Sequence, residues 1–74
     1  MDPKAEQLLA GMRDARKREL SADSKYRPAL AQAEDTSYSA DGTAGLRIAA
    51  EEYRLAMEHY AEAVKAWSDY VFRR

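Results

Sequence analysis

Apolar residues in the second half of the chain fall into a strict rhythm. Leu46, Ala50, Tyr53, Met57, Tyr60, Val64, Trp67 and Val71 follow one another at spacings of 4, 3, 4, 3, 4, 3 and 4. Such a stripe marks one face of an α-helix in a register close to a coiled-coil seam. It predicts a helix from about residue 43 to about residue 72. Ala49, Ala56 and Ala63 form a column of small residues beside the stripe. Small residues seven apart permit a close approach by a second helix.

The first half repeats the pattern less cleanly. Leu8, Met12, Ala15, Ala22, Tyr26, Ala29 or Leu30, and Ala33 recur at helical spacing, and Leu9 and Leu20 widen the stripe on one side. Asp2-Pro3 suits a helix start: the carboxylate can cap free N–H groups, and proline at the first helical position loses no bond. A helix is therefore expected over about 3–34. Pro28 cannot donate to the Ser24 carbonyl, and its ring crowds that turn. Near Ser24–Pro28 the helix should therefore be kinked or broken; the stripe keeps its phase across the proline, which favours the kink. Residues 35–43, Asp-Thr-Ser-Tyr-Ser-Ala-Asp-Gly-Thr, read as the connecting loop. Asp41 or Thr43 could cap the second helix, and Arg73 and Arg74 would close it beside the negative end of its dipole.

Two long helices joined by a short loop give an all-α fold, a long antiparallel helical hairpin forming a single domain over residues 1–74. Size then changes the expectation. A chain this short buries only about 60% of the surface that its unfolded form exposes. Small scaffolds compensate with disulfides, a metal or self-association. The chain has no cysteine and a single histidine, His59. Self-association is the remaining means, and two hairpins joined through their stripes make a four-helix bundle. In that homodimer Leu46, Tyr53, Met57, Tyr60, Val64, Trp67 and Val71 are the core and self-association residues. Ile48, Leu55 and Ala66 fall on the opposite side of the second helix, with Tyr70 and His59 near them. A helix with one partner has a polar back, so Ile48, Leu55, Tyr70 and the terminal Phe72 form a candidate surface for another protein.

Charge adds little. The net charge is −1, too balanced to imply nucleic acid by bulk attraction. No apolar run approaches the roughly 20 residues that span a membrane, and Met1-Asp2-Pro3-Lys4 lacks the apolar segment of a signal peptide. A cytoplasmic location is the default; a secreted chain carrying an added Met1 is the alternative.

Four constellations could carry chemistry. Arg16, Glu19 and Asp23 lie within the apolar arc of the first helix. In a hairpin folded about residue 39, Glu19 comes level with His59 and Tyr60, and Asp23 and Tyr26 approach Tyr53. Carboxylates and an imidazole at one level could make a metal or small-ligand site, but the Glu-x-x-His pair of bundle metal sites is missing, because Ala56 precedes His59 by three. An Arg16–Glu19 ion pair that sets register is the plainer reading. Second, Arg13, Arg16, Lys17 and Arg18 could give weak nucleic-acid binding, although they point in several directions and no aromatic lies near them. Third, Ser37-x-Ser39-x-Asp41-Gly42 resembles the start of an EF-hand loop, but Ile48 stands where a bidentate glutamate is required. Fourth, the aromatic terminus from Trp67 to Phe72 would anchor an interface or cover the open end of the bundle. No nucleophile elbow, phosphate-binding glycine loop or catalytic dyad is present. The expectation is a non-enzymatic association module without a cofactor. The alternatives are a metal or small-ligand binder at Glu19, Asp23 and His59, and a weak nucleic-acid binder through Arg13–Arg18.

Overall fold

A computed structural model describes residues 2–35 and 40–73, with the backbone alone at 41 and 42. It is an all-α hairpin of two helices, α1 (Pro3–Asp35) and α2 (Ala40–Phe72), of 33 residues each. At a rise of about 1.5 Å per residue each helix is about 50 Å long, and the hairpin measures 53 × 16 × 12 Å.

α1 starts where its capping chemistry places it. The Ala5 N–H donates to Asp2 Oδ1 at 2.8 Å, and the Glu6 N–H donates to the Asp2 carbonyl at 3.1 Å. Asp2 is the N-cap and Pro3 the first helical residue. α1 runs unbroken through Pro28 to Asp35, so the chain does not split into two helices there. α2 starts at Ala40, ahead of the expected residue 43. The Thr43 hydroxyl donates to the Ala40 carbonyl at 3.1 Å, a back-bond made within a helical turn rather than a cap. The small polar residues that read as loop thus supply the first turn of α2. Thr36, Ser37, Tyr38 and Ser39 lie outside the described residues, and with them most of the EF-hand-like pattern. At the other end the Arg73 N–H donates to the Asp69 carbonyl at 3.1 Å.

The seam between the helices is lined by small residues. Among the described residues the buried apolar ones are all alanines: Ala5, Ala15, Ala22, Ala33 and Ala49. Ala5, Leu8, Met12, Ala15, Glu19, Ala22, Tyr26, Ala29 and Ala33 form the inner face of α1, each buried or half-buried. On α2 the inner face is Leu46, Ala49, Tyr53, Ala56, Tyr60, Ala63, Trp67 and Tyr70. The alanine column expected to flank the stripe is therefore part of the contact itself. Met57, expected at its centre, is 47% exposed. The physical reason is close approach: two antiparallel helices come nearest where the facing side chains are smallest, and bulkier neighbours are pushed to the sides of the seam.

Large side chains fill the spaces between the alanines. The Tyr26 and Tyr53 rings stack with centroids 5.3 Å apart and planes 13° apart. Trp67 is half-buried, and its indole N–H is buried with no acceptor among the described residues. That omission costs about 1–3 kcal/mol, offset by the apolar area of the ring.

Tyr70 departs from its expected position on the back of α2. It is half-buried, and its hydroxyl donates to Asp2 Oδ1 at 3.1 Å, across 68 positions of sequence. One carboxylate therefore caps α1 and holds the last turn of α2. Asp2→Ala is expected to lower stability by about 1–2 kcal/mol. Tyr70→Phe removes the cross-helix bond and leaves the Asp2 cap in place, and it is expected to lose about 1 kcal/mol or less. Urea unfolding followed by circular dichroism reads both, and equal losses would mean that the cap contributes nothing.

Candidate functional site

Inter-helix contacts fix the register of the mid-helix polar cluster. The Tyr26–Tyr53 stack sets one level. The Arg16 guanidinium, 5.6 Å from the centroid of the Tyr60 ring, sets the next. Helical geometry therefore brings residues near 19 level with those near 57–59, as the fold-back argument predicts.

The cluster does not converge at that level. Glu19 has a side chain only 15% exposed, and it pairs with Arg16 on its own helix. Asp23 pairs with Arg27 at 3.1 Å, again within α1. His59 is exposed and borders a groove on the other side of the seam, with Arg18, Lys25, Glu52 and Leu55. Among the described residues no group of three or more histidine, aspartate or glutamate side chains is placed to hold a metal ion. What remains is an ion pair: the planar guanidinium of Arg16 lies over Tyr60 and reaches a largely shielded carboxylate, a combination of charge pairing and cation–π attraction.

The basic run is divided in the same way. Arg13, Arg16 and Lys17 border one groove with Met12 and Tyr60, whereas Arg18 borders the opposite one. A single basic strip for a phosphate backbone does not form from these four residues.

The two grooves identify two broad faces of the hairpin. The first face carries Arg18, Ser21, Lys25, Glu52, Leu55 and His59 around a groove of ≈ 480 Å³. The second carries Arg13, Arg16 and Lys17. Leu20 follows Arg16 by four and Lys17 by three, so it shares their side of α1. Met57 lies across the α2 seam from Glu52, Leu55 and His59, which puts it on the second face as well, with Val64 and Val71 along the same column. Among the described residues five large apolar side chains are exposed: Leu20 (52%), Ile48 (63%), Leu55 (51%), Met57 (47%) and Phe72 (78%). Leu46, Tyr53, Tyr60, Val64, Trp67 and Val71 are half-buried.

A further charged group lies on the exposed side of α2. Arg54 donates from Nε to Glu51 Oε2 at 3.1 Å and from Nη1 to Glu58 Oε1 at 2.6 Å. The i,i+3 and i,i+4 spacings were the available sequence signal. The hydrogen bond from Arg54 holds the Glu51 carboxyl below its ordinary value of 4.5. A lowered carboxyl in the folded state stabilises the fold above the unfolded value, and that contribution fades as pH falls through the folded value. Helicity should therefore decline slightly on acidification below about pH 5. The decline should be smaller in Arg54→Gln and in high salt, because the group is fully exposed. An acid titration followed by circular dichroism that was identical in the variant would remove this account.

No helix among the described residues is long and apolar enough to cross a membrane. No protein family, curated protein or solved structure matches the chain, so its reading rests on these faces and on what they expose.

Proposed function

We propose that the chain is a non-enzymatic protein–protein association module that acts as a homo-oligomer, two hairpins combining into a four-helix bundle. The observation that carries this reading is the size of what the single hairpin buries. Its buried apolar residues are alanines, while Leu20, Ile48, Leu55, Met57 and Phe72 stay open. Alanine contributes little apolar area, and the larger side chains that drive folding are left half in water. A second chain supplies the missing cover. Ile48, Leu55 and Phe72 then form a further surface by which the assembly acts as an adaptor, an assembly subunit or a small inhibitor of a larger protein. A bend in α1 at Pro28, where the ladder lacks one donor, belongs to the same reading, because a curved helix wraps a partner better than a straight one. So does a cytoplasmic setting, where a cysteine-free fold depends on packing alone.

The experiment is a mass measurement by sedimentation equilibrium over a wide concentration range, with helicity followed in parallel. A mass that rises from one chain to two, with helix content and thermal midpoint rising alongside, is the expected result. A fully helical chain of single-chain mass at every concentration would overturn self-association.

A further inference from the structure

The geometry points to the Leu20/Met57 face as the seat of a second copy of this chain, leaving the Leu55/His59 face free. This assignment rests on the self-association reading and adds to it which of the two faces is covered.

Area supports a second copy as occupant. The chain exposes 5516 Å², whereas a compact monomer of this mass exposes about 4,600 Å². The surplus of about 900 Å² is close to the roughly 800 Å² that each partner covers in a standard interface. A hairpin 16 Å by 12 Å in section is one layer thick in one direction, so stacking a like hairpin on one broad face yields the two layers that a core requires.

Chemistry selects the face. Leu55 is surrounded by ionisable groups: Arg18, Lys25, Glu52 and His59 all border its groove. None of the four is in an ion pair among the described residues, so covering that groove would take unpaired charges out of water, and interface centres are depleted in charge for that reason. Leu20 and Met57 instead lie on the face where Leu9, Val64 and Val71 also emerge half-buried from the seam. Its polar members also include Asp23 with Arg27, and Arg54, whose charges are already paired within their own helices, while Arg13 and Lys17 have long aliphatic stems that can lie along apolar surface with their charges at the rim. Arg16 is already paired with Glu19 and lies over Tyr60.

Position also favours self-pairing. Leu20 lies near the middle of α1 and Met57 near the middle of α2, and the register puts them at one level. A twofold axis through mid-rod brings this level onto its own counterpart whichever way the hairpins stack. A charge introduced at either residue then enters the interface twice.

The test compares Leu20→Glu, Met57→Glu and Leu55→Glu by sedimentation equilibrium. Leu20→Glu and Met57→Glu are each expected to raise the dimer dissociation constant by about 100-fold or more, and Leu55→Glu to change it by less than about threefold. Hydroxyl-radical labelling of the unaltered protein supplies a reading independent of whether the variants fold. Met57 should lose its reactivity on going from dilute to concentrated protein, while Leu55 keeps its own. If the unaltered protein dimerises but Leu55→Glu dissociates it and Leu55 is the residue protected, the assignment of the face is overturned and self-association stands. A helical single chain throughout would remove the underlying reading itself.

Discussion

Replacing Pro28 with alanine should stabilise the protein by about 2 kcal/mol, equivalent to a rise in melting temperature on the order of 10 °C. Pro28 lies inside α1, seven residues before its end at Asp35. Proline in a helix interior costs about 3 kcal/mol relative to alanine, since the i→i−4 bond is lost and the ring meets the preceding turn. Against this, proline narrows the unfolded ensemble, an advantage of about 0.4–1 kcal/mol that alanine gives up. Pro28 is exposed, so no packing is lost, and the difference between the two effects survives. The Ser24 carbonyl regains its donor. Thermal and urea unfolding of Pro28→Ala measure the effect. A melting temperature at or below that of the parent would show that the ring contributes something specific here, such as a bend on which association depends. Measuring the dimer constant of the same variant separates the two: a more stable chain that associates more weakly would assign the proline to the interface.

An opposite outcome is expected from Ala15→Leu, a loss of about 2–3 kcal/mol. Leucine forms helix nearly as well as alanine and adds apolar area, so composition alone would predict little harm. Ala15 is fully buried at the seam, where the neighbouring helix occupies the space a leucine side chain would need. Either the helices part locally, exposing Tyr60 and Met12, or the leucine takes a strained rotamer. Ala10→Leu, at an exposed position on the same helix, is the control and should change stability by less than about 0.5 kcal/mol. If Ala15→Leu instead stabilised the chain, close approach at the alanines would be refuted, and the seam would be a loose contact that accepts larger groups.

Much of the hairpin is legible from the residues. The Asp2-Pro3 cap, both stripes and the levels of Tyr26 with Tyr53 follow from helical period and a single reversal. The choice of seam does not. On α2 two columns compete to face α1, Ala49/Ala56/Ala63 on one side and Met57/Val64/Val71 on the other. Hydropathy ranks the second column higher, whereas the closeness of two helices favours the first. Only the packed pair decides, and it exposes Met57. The failure of Glu19, Asp23 and His59 to meet has a similar cause: equal height along a rod does not bring side chains to the same side of it. For Tyr70 the sequence leaves two readings, partner surface and cover for the open end of the hairpin, because a hydrogen bond to a residue at the far end of the chain leaves no local trace. α2 starts earlier than its turn residues suggest, because Asp, Gly and Thr also occur in a first helical turn.

The bond between Tyr70 and Asp2 bears on the order in which the hairpin forms. Cross-helix contacts reach further through the sequence as they approach the chain ends, from the Tyr26–Tyr53 stack, through Arg16 and Tyr60, to this bond across 68 positions. Closing a longer loop costs more entropy, so pairing proceeds from the connection outward and the clasp closes after the barrier has been crossed. Its loss should therefore speed unfolding and leave the refolding rate nearly unchanged, which stopped-flow kinetics of Tyr70→Phe can read directly. In the native ensemble the same clasp limits fraying, and amide hydrogens of the outermost turns should exchange faster in Tyr70→Phe than in the parent.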